Sequence, residues 1–175
     1  MSKAFTRESD GSGAQDIPSF RTRLPPGTRN YITQEGADRL KQRLTGLLEK
    51  KQGLTVGSDE ATAASEAEQR KIESAIRDLQ QILDSVVLAR VPADQEKVAF
   101  GATIAVRHGN GEEAAYRIVG IEEVAPERGS ISWISPMARA LLSRRAGDTV
   151  RFRSPAGEEE LTILSVRYPG QQNDS

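Results

Sequence analysis

The chain has 175 residues, 37% hydrophobic and 5% aromatic, with a formal net charge of -1. Such an inventory suits one or two small units rather than one large core, and it leaves attraction to nucleic acid or membrane to local patches. With no cysteine, disulfides, thiolate metal sites and a cysteine nucleophile are excluded. No apolar run approaches the roughly 20 residues of a membrane helix, and MSKAFTRESDGSG carries no signal-peptide core, so a cytoplasmic protein with no membrane partner is expected.

Residues 1–30 read as a disordered tail, because SDGSGAQDIPSF and RLPPGTRN concentrate Ser, Gly, Pro and charge. Order is expected from Tyr31, with Thr33 as helix N-cap and Ala37, Leu40, Leu44, Leu47 and Leu54 on one face. A second run, Ile72, Ile76, Leu79, Leu83 and Val86, follows steps of four, three, four and three. That heptad seam is expected to end near Arg90 and to be closed by Pro92. Two such helices in succession predict an antiparallel helical hairpin over residues 31–91. Setting Leu47 against Leu79 and Leu44 against Leu83 places its turn near residue 63.

Residues 52–71, QGLTVGSDEATAASEAEQRK, form the tip of that hairpin. The second seam, extended backwards, meets Gln69, Ser65 and Thr62 where apolar residues are wanted. The tip therefore packs weakly, whereas the base buries Leu and Ile at about 1.5 to 3 kcal/mol per side chain. Asp59, Glu60, Glu66 and Glu68 load the tip with negative charge. Two readings stay open: a solvated turn with acids at the start of the second helix, or carboxylates held ready for a partner.

Beyond Pro92 the pattern changes. FGATIAVRHGNGEEAAYRIVGIEEV reads as two strands about an Asn110-Gly111 turn, and SISWIS as a short strand. PMARALLSRR reads as a short helix with Pro136 in its first turn. GDTVRFRSPAGEEELTILSVRY reads as a second hairpin turning at SPAGEE. The expected class is α+β, the helical hairpin followed over residues 92–170 by a small antiparallel sheet with one covering helix, and a short tail over 171–175. Gly109, Gly111 and Ala114 fit the dinucleotide pattern G-x-G-x-x-A, but a strand follows them, so no helix N-terminus is there to receive a pyrophosphate. His108, the one histidine, sits before a turn without an evident partner and is expected as an exposed strand-end residue. Trp133 reads equally as core or as an interface anchor beside Ser135 and Pro136.

The segments YITQEGADRL, Phe100-Gly101-Ala102, residues 116–120 (YRIVG), residues 131–142 (ISWISPMARALL), Gly147-Asp148-Thr149-Val150, Pro155-Ala156-Gly157 and residues 163–168 occur in one order. Together they resemble the Gre family of transcription elongation factors, its GreB branch more than its GreA branch, from Tyr31 to Tyr168. The resemblance implies a coiled-coil hairpin and an FKBP-like C-terminal domain. It implies a monomeric regulator, not itself an enzyme, that binds bacterial core RNA polymerase. In such factors the C-terminal domain grips the rim of the secondary channel and the hairpin enters it. On this chain the docking residues would be Trp133, Ser135, Pro136, Met137 and Arg139.

The resemblance also gives the tip a use. Related factors end the hairpin in a G-D-x-x-E-N type signature whose acids help the polymerase hold a second Mg²⁺ and cleave backtracked RNA near its 3′ end. The chain itself would carry no cofactor, only a Mg²⁺ shared with the polymerase. Its own tip departs from the pattern, with Gly57-Ser58-Asp59-Glu60 and Ser65-Glu66-Ala67-Glu68. Asp59 and Glu60 are the nearest metal candidates, with Glu66 and Glu68 in reserve. Lys50, Lys51, Arg70 and Lys71, just below the tip, either solubilise the stem or meet RNA phosphates. Counted against the family pattern, the hairpin is roughly ten residues shorter, which at 1.5 Å per residue leaves the tip about 8 Å short. Carboxylates bind Mg²⁺ at about 2.0 to 2.1 Å, so polymerase binding with weak or absent cleavage is expected. The competing readings are a full GreB-like cleavage factor, a coiled-coil scaffold that dimerises, and an FKBP-like peptidyl-prolyl isomerase. The isomerase would need an aromatic-lined pocket from Phe100, Tyr116, Trp133, Phe152 and Tyr168.

Overall fold

The computed structural model describes residues 24–56 and 63–169. Of the tail expected over 1–30, residues 1–23 lie outside those residues, as do the tail at 171–175 and Asp59 and Glu60, whereas residues 24–30 are described. Residues 24–29 lead in through a turn in which the Thr28 amide donates to the Pro25 carbonyl. A short strand, β1 (Asn30–Ile32), precedes the first helix.

Two helices of equal length follow, α1 (Gln34–Val56) and α2 (Ala63–Ser85). Helix α1 starts where the sequence places it: the Thr33 hydroxyl accepts a hydrogen bond from the Gly36 amide at 3.0 Å, satisfying one of the orphan donors of the first turn. The helices pack on one another. Ile72, Ile76 and Leu79 of α2 are buried, Ala37 is buried at the foot of α1, and Leu40, Leu44, Leu47 and Leu54 are half-buried. Leu48, off the seam, is exposed. Ala63, near which the turn was expected, already belongs to α2.

The far end of α2 departs from the sequence reading. The helix stops at Ser85 rather than near Arg90, and Val86 leaves the seam to open β2 (Val86–Leu88). Strand β2 pairs in parallel with β1, Asn30 facing Val86 and Ile32 facing Leu88. Local chemistry accounts for the change. The Ser85 hydroxyl donates back to the Ile82 carbonyl and accepts from the Asn30 carboxamide, and the β-branched pair Val86-Val87 favours extended backbone.

The remaining chain forms a five-stranded sheet in the order β5-β4-β3-β7-β6. Its strands are β3 (Thr103–His108), β4 (Glu113–Val119), β5 (Ser130–Ser132), β6 (Thr149–Ser154) and β7 (Gly157–Arg167). Three of the four pairings are antiparallel, but β5 runs parallel to β4, which corrects the all-antiparallel expectation. After Val119 the chain turns through two short 3₁₀ segments, Ile121–Glu123 and Pro126–Arg128. That crossover carries it back so that Ser130 restarts beside Arg117. The last hairpin closes through Pro155-Ala156, with Gly157 at φ 130°, a backbone region that suits glycine.

Helix α3 (Pro136–Leu141) covers one face of the sheet. Ala138 and Leu141 join Ile104, Val106, Ile118, Leu161 and Ile163 in one fully buried cluster. Among the described residues no helix is long and apolar enough to cross a membrane. The chain is thus of mixed α+β class, with its larger core in the sheet unit.

Candidate functional site

Three places bear on function: the upper stem of the helix pair, the corner before α3, and the junction where α1 meets the sheet unit.

The stem is crossed by ion pairs. Lys50 on α1 reaches Glu68 on α2 at 2.7 Å, and Lys51 reaches Glu73 at 3.1 Å. Arg70 lies 3.9 Å from Glu66, one turn away on the same helix. The hydrogen bond from Lys50, reinforced by its charge, holds the Glu68 carboxyl below its ordinary range. Glu66 and Glu68, expected as reserve tip acids, lie in the first turns of α2 with these cations beside them. Of the basic set, Lys50, Lys51 and Arg70 have carboxylate partners, and Lys71 is exposed. Among the described residues no group of three or more His, Asp or Glu side chains could hold a metal.

At the corner, the five expected docking residues divide. Trp133 is half-buried with its ring edge-on to Tyr31 at 5.6 Å, and Tyr31 in turn meets Phe100 at 6.0 Å. Ser135 caps α3 by accepting from the Ala138 amide at 3.2 Å, and Met137 rests against the core. These three belong to the scaffold. Pro136 and Arg139 face outward and form the accessible part of the corner.

His108 also differs from expectation. It is half-buried, its Nε2 lies 3.2 Å from the Tyr116 hydroxyl, and its Nδ1 lies 4.0 Å from Glu159. Burial, then the Glu159 charge, pushes the Tyr116 phenol above its ordinary value. Strands β3, β4 and β7 lie side by side and supply one member each, a proximity that a histidine next to a turn does not reveal.

The junction is the most highly connected polar site. Glu123 is buried, yet its carboxylate accepts from the Thr33 amide at 2.9 Å, from the Thr33 hydroxyl, and from the Gly120 amide at 3.1 Å. Arg39 of α1 lies 3.6 Å away. A second strut joins Arg117 of β4 to Glu35 of α1 at 2.6 Å, and that hydrogen bond and charge hold the Glu35 carboxyl below its ordinary range. Two glycines permit the approach. A Cβ on Gly36 would come within 2.1 Å of a Glu123 oxygen, and one on Gly120 within 2.2 Å of the Tyr31 carbonyl. Sequence reasoning found Thr33 through its capping position and missed Glu123, which lies 90 residues away from it. An open cleft of about 520 Å³ beside the junction takes only Phe100 and Tyr168 from the aromatic set, alongside Arg39 and Arg117.

A helix pair keyed to a small five-stranded sheet unit by a buried polar junction is the arrangement these residues build. The family profile described as "Transcription elongation factor, GreA/GreB, C-term" matches residues 93–168. Transcription elongation factor GreB of Neisseria meningitidis serogroup A is 37% identical over 157 residues, covering 81% of this chain and 95% of that one. GreB of Pseudomonas aeruginosa is 34% identical over 160 residues, covering 83% and 95%. The crystal structure of GreA factor homolog 1 (Gfh1) of Thermus thermophilus aligns at 25% identity and a TM-score of 0.38, over 80% of this chain and 99% of that one. The chain belongs to the GreA/GreB family of transcription elongation factors.

Proposed function

We propose that this chain regulates transcription elongation by binding bacterial core RNA polymerase, with little stimulation of transcript cleavage. The sheet unit, as an FKBP-like domain, docks on the rim of the secondary channel through the corner at Pro136 and Arg139. The helix pair, as a coiled-coil hairpin, enters the channel. Asp59 and Glu60 are the first candidates for a Mg²⁺ shared with the polymerase, with Glu66 and Glu68 in reserve.

The observation that carries the reduced cleavage is length. The 157 matched residues of the Neisseria relative occupy only 81% of the 175 residues here, and the Pseudomonas match of 160 occupies 83%, so each relative has roughly 15 positions without a counterpart. If those positions fall in the two helical arms, where the family pattern puts its difference, the deficit at 1.5 Å per residue shortens the reach by about 11 Å, the same scale as the 8 Å shortfall expected from that pattern. A metal-bound carboxylate tolerates a small fraction of that distance.

The test is retention of the full chain on immobilised core polymerase, with competition by a GreB protein. Retention that GreB displaces supports a shared channel site. Failure to bind, with the protein shown to be folded, contradicts it.

A further inference from the structure

We propose that Glu123 is a positioning residue. By tying Thr33 at the foot of α1 to Gly120 at the end of β4, it sets the direction in which the helix pair leaves the sheet unit. The consequence for transcription rests on the polymerase reading above; the geometry does not.

A buried carboxylate is costly unless every lone pair is used. Here Thr33 supplies two donors, Gly120 a third, and Arg39 a compensating charge. Packing alone would be served by an apolar side chain of similar size. What the carboxylate adds is direction, because Oε2 accepts from the Thr33 and Gly120 amides together while Oε1 accepts from the Thr33 hydroxyl beside Arg39. The neighbouring contact of Tyr31 with Trp133 is aromatic and tolerates rocking. The Arg117–Glu35 strut is half exposed on its glutamate side and long-armed. Glu123, by contrast, is buried, and the Cβ-free surfaces of Gly36 and Gly120 let it close the joint.

Leverage makes the joint matter. Helix α1 has 23 residues, so at 1.5 Å per residue it is about 34 Å long, and a 10° tilt at its foot moves its far end by about 6 Å. A carboxylate serving a metal from that end cannot absorb such a displacement.

The absence of cysteine makes a distance test direct. Glu49→Cys on α1 and Arg153→Cys on β6, both exposed positions, carry spin labels in the full-length protein. A single narrow distance distribution is expected for the parent. Glu123→Ala, which strands the Thr33 and Gly120 amides, should broaden or shift it by several Å with the helical circular dichroism retained. Glu123→Gln should largely restore the parent distribution, since its amide oxygen accepts from the same amides and its NH₂ donates to the Thr33 hydroxyl. Thr33→Val, which removes one limb of the network, should give an intermediate change and serves if the alanine variant does not fold. On polymerase, Glu123→Ala should bind nearly as well as the parent and lose its effect on elongation. An unchanged distribution in Glu123→Ala, or in Thr33→Val where the former is unfolded, overturns the proposal. Absence of polymerase binding by the parent would instead overturn the functional reading and leave the distance result standing.

Discussion

The sheet unit and the helix pair spend their hydrophobic residues differently. The sheet unit closes a continuous core in which Ile104, Val106, Ile118, Leu141 and Leu161 have no exposed surface. The helix pair has a line instead of a core, with Ile72, Ile76 and Leu79 buried on α2 and most of the facing leucines of α1 only half-covered. It is therefore held at the foot by tertiary contacts and along the stem by that thin apolar line, with exposed ion pairs adding little. The lesson is a contrast in burial: a continuous core in the sheet unit, and a single buried line in the helix pair.

The strongest way to break that contrast is Ile76→Asp, which puts an unpaired carboxylate into the thin line of burial. We expect a loss of about 4 kcal/mol confined to the helix pair. Helical circular dichroism should fall while amide-exchange protection of β3 and β7 persists; loss of both together would mean that the two regions are one cooperative unit. Leu161→Ala attacks the other side. Leu161 is fully buried in the sheet core, and its truncation should cost about 3 kcal/mol in denaturant unfolding. A cost below about 1 kcal/mol would mean that the core collapses around the gap.

A smaller effect sharpens the sheet side through pH. Tyr168 is buried, donates to the Lys97 carbonyl at 2.6 Å and accepts from the Ala99 amide at 2.9 Å. Burial is the main cause that raises its phenol above the ordinary value of 10.0. A raised value means that the folded state favours the protonated phenol. Its contribution is therefore complete below pH 10.0 and is lost as pH rises through the folded value. Tyr168→Phe should cost about 1 kcal/mol at neutral pH and flatten the alkaline decline measured by thermal melts. The smallest effect belongs to the stem: Lys51→Ala, removing the exposed pair with Glu73, should change stability by less than about 1 kcal/mol.

What the sequence disclosed follows the range of the interaction concerned. The seam at Ile72, Ile76 and Leu79, the Thr33 cap and the Pro155-Ala156 turn are local patterns, and each lies where periodicity or turn chemistry puts it. Val86 obeyed the heptad yet joined a strand, because a partner from residue 30 competes for its backbone. The parallel β4–β5 pair depends on a crossover whose return path no alternation of residues encodes. Glu123 and the His108 neighbourhood were hidden for the same reason: their partners come from other elements, and a buried acid looks in sequence like any surface glutamate. At the corner, spacing alone could not separate Trp133, Ser135 and Met137, which face the scaffold, from Pro136 and Arg139, which face solvent.

On the proposed function, the helix pair reaches the polymerase channel without delivering strong cleavage. RNA cleavage in stalled, backtracked elongation complexes tests it most directly, with the parent compared with the Asp59→Ala, Glu60→Ala double variant. We predict that both bind, that the parent gives little cleavage above the polymerase alone, and that the double variant differs from it in the effect on elongation. Robust cleavage by the parent that disappears in the double variant would contradict the account and make this a full cleavage factor.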